Sequence, residues 1–344
     1  MTPPPAPPTR DRVLRLLERM RTVRVVVLGD AMLDRYLIGD TDRLSPEAPV
    51  PVVTVKDTRA ALGGAANVAA NVVAVGARCH LVASVGDDPH GRALREELGR
   101  AGLDDRTLVT VAGRATTTKT RVIARGQQVV RIDEEVEAPL EPSALERVTD
   151  LLHETLANAD ALLLEDYNKG LLAAPLITAA VAAALRRGVP VVVDPKYRHF
   201  FEYAGATVFK PNRRELEAAL GAAVDLEHRD ALPRALERLK VDNLLLTLGA
   251  DGMVLVTKAK EIVHLPSIAR EVFDVSGAGD TVTAWVGAAL AAGATLVEAA
   301  TLANYAAGIE VGKAGVATVT PEELLAVYEE RFDQVGMLQR GGAL

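Results

Sequence analysis

Six short apolar runs recur between helical stretches, and each closes on a polar residue or a glycine. They are "VRVVVLGD" (23–30), "HLVASVG" (80–86), "ADALLLED" (159–166), "VPVVVDP" (189–195), "ATVFKPN" (206–212) and "DNLLLTLG" (242–249). A strand that is apolar on both faces has to be covered on both faces, and helices placed between successive strands provide that cover. The pattern predicts an α/β fold, a mostly parallel, Rossmann-like sheet flanked by helices. "GAANVAANVVAVGA" (64–77) and "GRALREELGRAG" (91–102) have the spacing and closing glycine of packed helices. In such sheets ligands bind beyond the carboxyl ends of the strands. Asp30, Asp166, Asp194 and Asn212 fall at those ends.

Two stretches break the rhythm. Residues 36–56 are proline-rich and β-leaning, and residues 115–133 interleave β-branched with basic residues. They predict extra strands forming a small lid outside the main sheet. Runs this short cannot bury a face alone, so pairing with the same element of a second subunit is expected. The charge-rich patterns at 212–240 and 321–331 read as solvated helix faces.

Composition narrows the class. With 344 residues, 49% of them hydrophobic, the chain has material for a large core. No stretch has the length and apolarity of a membrane span, and "MTPPPAPPTRDR" lacks the apolar segment of a secretion signal. Cys79 is the single cysteine, so a reducing, cytoplasmic setting is expected. A net charge of −7 argues against a nucleic-acid partner, which calls for a basic face. It does not exclude a small anionic substrate in a local basic pocket.

The chemistry concentrates in three places. "DVSGAGDT" (274–281) puts Gly277, Ala278 and Gly279 directly before Asp280 at a helix start. Free N–H groups and the positive end of the helix dipole make an anion hole there, and small residues let the anion approach. Asp280, beside it, can take a proton from a hydroxyl. Together they suit phosphoryl transfer to an alcohol. The plainer reading is a glycine-rich turn with Asp280 as a helix cap. A dinucleotide fingerprint would need a glycine at Val282, and "GIEVGKA" lacks the spacing and hydroxyl of a phosphate-binding P-loop. Gly63 and Gly64 open the helix at 64–77 and could admit a sugar hydroxyl, with Asn67 as a polar contact; tight helix packing would use the same residues. In "KPNRRE", Asn212 and Glu215 share one face of a helix start. They could hold hydrated Mg²⁺ near phosphates, or simply cap the helix.

In this order the three motifs resemble those of the PfkB/ribokinase family of small-molecule kinases, from about Val23 to about Val327. The resemblance implies a ribokinase-like domain over residues 21–335, after a tail and lead-in helix (1–20) and before a tail (336–344). It also implies ATP with Mg²⁺, a possible K⁺ ion, and a homodimer built through the lid. Carried over by this resemblance, Asp280 is the catalytic base and Gly277, Ala278 and Gly279 form the anion hole. Asn212, Glu215, Lys196, Thr247, Gly249, Asn304 and Gly312 serve ATP and Mg²⁺. Asp274 and Ser276 contribute to a monovalent-cation site.

Five further stretches, "GDAMLDRY", "RLSPEAPVPVV", "TTTKTRVIARGQQVVRID", "EDYNKG" and "DPK", are similar to the heptose-7-phosphate kinases of bacterial lipopolysaccharide synthesis. That likeness implies conversion of D-glycero-β-D-manno-heptose 7-phosphate into the 1,7-bisphosphate. Asp30, Asp34, Gly63, Gly64, Asn67, Asp166 and Lys169 would contact the sugar. Lys119, Arg121 and Arg125 would share a lid face and clamp the phosphate already present. The chain departs from the family pattern at Glu165 and Asn168, where serine and alanine are usual, and in "YRHF" (197–200). Such kinases are often fused to a nucleotidyltransferase carrying an HxGH motif. No HxGH occurs in this sequence, so a stand-alone kinase acting before a separate nucleotidyltransferase is expected. The alternatives are a kinase for another sugar or a nucleoside, and an inactive ligand-binding paralogue.

Overall fold

The structure, a computed structural model, describes residues 7–269, 271–313 and 315–330. In chain order the strands are β1 (Arg24–Gly29), β2 (Ala31–Leu44), β3 (Pro51–Gly64), β4 (Arg78–Gly86), β5 (Leu108–Val111), β6 (Thr118–Ala124), β7 (Gln127–Glu134), β8 (Ala161–Glu165), β9 (Val191–Asp194), β10 (Val208–Phe209), β11 (Leu244–Thr247), β12 (Met253–Val256) and β13 (Ile262–Leu265). The helices are α1 (Arg10–Met20), α2 (Ala65–Ala74), α3 (Pro89–Arg100), α4 (Pro142–Leu156), α5 (Ala174–Arg186), α6 (Arg213–Leu220), α7 (Ala231–Leu239), α8 (Ala278–Ala291) and α9 (Leu296–Glu310), and residues 321–330 are also helical.

The main sheet has the order β13-β12-β11-β10-β9-β8-β1-β4-β5, and among the described residues only β12 runs against the others. Its central strands are apolar at nearly every position because both faces are covered. Val25 and Val27 pack with α2 and α8 on one side, while Val26 and Leu28 pack with α4 and α5 on the other. The alternation of β with α residues seen in the sequence thus becomes two hydrophobic layers.

Three expectations need adjusting. The lid is a separate four-stranded sheet, β3-β2-β6-β7. It begins at Ala31 rather than 36 and runs to Gly64 rather than 56, because β1 continues almost directly into β2 and thirteen residue pairs then zip β2 onto β3. The lead-in helix α1 is part of the core: Val13, Leu16, Leu17 and Met20 are buried, and Arg12 pairs with Glu298 at 2.8 Å. The helical pattern at 212–240 is two helices, α6 and α7, separated where Gly221 adopts a left-handed conformation. Residues 1–6 of the tail expected within 1–20, and the tail expected at 336–344, lie outside the described residues.

Candidate active site

Parallel register brings the site together. Gly29 of β1 stands beside Glu165 of β8, which stands beside Asp194 of β9. Phe209 of β10 pairs with Val193, so the next residue, Lys210, emerges beside Asp194. Helix α8 starts over these strand ends. Its cap, Gly277, has φ 96°, open to glycine and strained for other residues. A Cβ there would lie 3.2 Å from Asn67 Nδ2 and from Glu310 Oε1.

Asp280 is buried in the first turn of α8. Its Oδ2 accepts from Asn67 Nδ2 at 2.7 Å and its Oδ1 from the Tyr167 hydroxyl at 3.0 Å. Burial pushes its carboxyl up to about 6, the charge of Asp194 adds to the rise, and the two hydrogen bonds and Lys210 oppose it. Oxygens of Glu165, Asp194 and Asp280 all lie within 4.8 Å of one another. Lys210, 2% exposed, donates to Asp194 at 2.7 Å. Burial works against this ammonium; the Asp194 carboxylate, by its charge and its hydrogen bond, outweighs burial and raises the pKa.

A cavity of about 520 Å³ opens in front of this cluster. Gly277, Ala278, Gly279, Asp280, Lys196, Asn212, Glu215, Thr247, Gly249 and Asn304 all line it. Ten expected site residues, from five separate stretches, therefore meet in one space. Gly312, Asp274 and Ser276 are not among the lining residues; Val311 and Val275 are. Asp274 Oδ1 accepts from the backbone N–H of Ser276 at 2.9 Å. Asn212 and Glu215 form a reciprocal cap: Asn212 Oδ1 accepts from Glu215 N and Glu215 Oε2 from Asn212 N, both at 2.9 Å. Glu215 Oε1 accepts from Lys196 Nζ at 2.5 Å. Capping and a place at the cavity wall are thus compatible roles.

On the lid side, Gly64 (φ 55°) caps α2 and lets the chain turn against Asp30 O, where a Cβ would approach to 2.5 Å. Gly63 faces Asp34, whose Oδ1 accepts from Arg121 at 2.6 Å, and the Arg121 guanidinium lies over the Tyr36 ring. Lys119 shares that face of β6 and pairs with Asp133 and Glu135. Lys169 pairs with Glu135 at 2.9 Å and Glu137 at 3.5 Å.

Three expected ligand contacts are placed differently. Asp30 accepts from the N–H groups of Tyr167, Lys169 and Leu171, at 2.9, 2.9 and 3.3 Å, and so orders the loop after β8. Asp166 accepts from Asn168 N and the Tyr203 hydroxyl. Both carboxylates are spent inside the protein. Arg125 leaves β6 in a turn at φ 51° and pairs with exposed Asp42, away from Lys119 and Arg121. Alternation predicted a shared face, but the strand ends at Ala124. Sequence reading put Asp194 at a ligand-facing strand end without giving it a role, and did not nominate Lys210, Tyr167 or Glu165 as site residues. The signal available was position, since each sits at or just past the end of an apolar strand.

Residues 23–323 match the profile of the pfkB family carbohydrate kinases. The chain is 46% identical over 321 residues to "Bifunctional protein HldE" of Pelobacter propionicus, covering 92% of this chain and 65% of that protein. It is 43% identical over 332 residues to the protein of that name from Rhodospirillum rubrum, covering 96% of this chain and 66% of the relative. Among solved structures, Arabidopsis thaliana ribokinase complexed with ribose and ATP superposes with a TM-score of 0.71 at 23% identity, over 89% of this chain and 98% of that one. Escherichia coli phosphofructokinase-2 in complex with potassium gives 0.74 at 19%, over 90% and 99%. These two likenesses establish a ribokinase-like fold. No helix among the described residues is long and apolar enough to cross a membrane.

Proposed function

The chain belongs to the pfkB family of carbohydrate kinases, and on that premise we propose that it transfers the γ-phosphoryl group of ATP to the anomeric hydroxyl of D-glycero-β-D-manno-heptose 7-phosphate. The carrying observation is Asp280 at the start of α8, oriented by Asn67 and Tyr167 and bordering the cavity with Gly277 to Gly279. The choice of sugar rests on the stretches similar to heptose-7-phosphate kinases.

In this reading the sugar hydroxyl stands between Asp280 and the γ-phosphorus. Its oxygen forms the new P–O bond as the bond to the ADP oxygen breaks, and its proton passes to Asp280. The first-turn N–H groups of α8 stabilise charge on the transferring group. Lys196 and Lys210 face the same space and add positive charge. The polyphosphate would follow Lys196, Asn212 and Thr247 towards Gly249, with the base near Asn304. Mg²⁺ neutralises charge on the phosphates when bound. Both oxygens of Glu215 already hold partners, so Glu215 and Asn212 fit a hydrated ion held through water. Asp274 and Ser276, just before the anion hole, would contribute to a K⁺ site. Arg121, Lys119 and Lys169 would meet the 7-phosphate, and the product would pass to a nucleotidyltransferase.

The pairing of Arg121 with Asp34 and of Lys119 with Asp133 and Glu135 favours a second reading, a kinase for an unphosphorylated sugar. ADP release across a panel of free sugars and sugar phosphates decides. The proposal requires heptose 7-phosphate to be preferred and turnover to depend on Mg²⁺; equal use of the free heptose would replace it with the second reading.

A further inference from the structure

Glu165, the last residue of β8, is fully buried, and neither of its carboxyl oxygens has a hydrogen-bond partner among the described residues. Such a group is rare, because an ionised carboxylate taken out of water needs donors or a counter-charge. Its neighbours are two more carboxyls, Asp194 and Asp280, with oxygens within 4.8 Å of one another. Three negative charges so close on buried side chains repel strongly, and at least one proton should remain.

The donors around the cluster decide which carboxyl keeps it. Asp194 has the Lys210 ammonium at 2.7 Å, which favours its charged form. Asp280 accepts two hydrogen bonds, from Asn67 and Tyr167, which also favour the charge. Lys196, the other cation near the cluster, is engaged with Glu215 at 2.5 Å. Among the described residues, Glu165 has no donor.

We propose that Glu165 is carried as the neutral carboxylic acid, holding the cluster's one retained proton so that Asp280 stays ionised as the base. This rests on the reading of Asp280 as the proton acceptor. The electrostatics agree: burial first, then the charges of Asp194 and Asp280, push the Glu165 carboxyl well above the usual range, with Lys210 and Lys196 opposing. Glu165 thereby acts through Asp280 as a positioning residue. Were it charged, the repulsion would draw a proton onto Asp280 and remove the base.

The test is infrared spectroscopy of the whole protein at neutral pH, without nucleotide, on wild type, Glu165→Gln and Asp280→Asn. Glu310 is a second buried carboxyl, raised to about 8, so the spectra are read as differences against wild type: the C=O stretch of one buried protonated carboxylic acid should be lost in Glu165→Gln and kept in Asp280→Asn. A band that survives in Glu165→Gln and vanishes in Asp280→Asn would put the proton on Asp280 and overturn the proposal. So would a spectrum left unchanged by Glu165→Gln, most directly if Mn²⁺ alone binds wild type and not Glu165→Gln, since Glu165 would then be an ionised metal ligand. Full turnover by Asp280→Asn would instead sink the base assignment, whichever way the spectra fall.

Discussion

The side-chain amide of Asn67 donates to Asp280 Oδ2 at 2.7 Å across 213 residues of sequence. One residue belongs to the helix that follows the lid and the other to the helix that opens on Gly277. The bond ties the two glycine motifs into one site and fixes where the Asp280 carboxylate points. Removing it with Asn67→Ala should cost about 1.5–3 kcal/mol, or roughly 10- to 150-fold in kcat. Because the bond favours ionised Asp280, its loss should also move the acid limb of the pH–rate profile upwards. An unchanged limb and rate would show that Asn67 only packs.

Asp280→Asn should lower kcat by about 10²–10⁴-fold while ATP still binds, as measured by ADP release and nucleotide titration. In wild type the rate should fall below pH about 6, where the carboxyl takes up its proton.

The same carboxyl makes a stability prediction of opposite sense. Its value in the fold, about 6, exceeds the ordinary 3.8, so ionising it works against folding. The penalty is absent below the lower value and grows as pH rises from about 4 to about 6. Asp280→Asn should therefore be the more stable protein at pH 7, by up to about 3 kcal/mol, and show no advantage near pH 3. Urea denaturation at the two pH values measures this.

Arg121 and Arg125 should differ. Arg121 lies beside Asp34 and Tyr36 on the face that holds Gly63, whereas Arg125 sits in an exposed turn against Asp42. Arg121→Ala should raise KM for heptose 7-phosphate by about 10- to 150-fold and leave KM for ATP unchanged. Arg125→Ala should change neither constant. Steady-state kinetics with both substrates varied would expose a phosphate site built elsewhere.

Strand β7 presents its whole length to solvent, with Val130 and Ile132 at 47% and 49% exposure on an edge strand. Exposed apolar edges invite pairing, and a lid-to-lid dimer would cover this one. Ile132→Glu should shift the protein to monomer in light scattering at micromolar concentration. A monomeric and fully active wild type would remove the dimer from the proposal.

Much of the molecule is determined by short-range pattern. Runs such as "ALLLE" and "VVVD" are apolar at every position but the last, so they had to become covered parallel strands, and Gly277 before Asp280 marked a helix start that something approaches closely. These signals are readable because backbone period and glycine's freedom are local properties. The lid was legible in place but not in length, since its ends depend on pairing across β2 and β3.

Partner choice was decided only by the tertiary structure. Asp30, Asp34 and Asp166 look alike at or near strand ends, yet Asp30 is consumed by three backbone N–H groups, Asp166 by Asn168 and Tyr203, and only Asp34 faces Gly63 and Arg121. Glu165, Asp194 and Lys210 became a cluster with Asp280 because parallel register sets neighbouring strand ends level. Register and crossover are relations between distant segments, and a carboxylate's role follows from which donors reach it within about 3 Å. No local pattern in the chain encodes that distance.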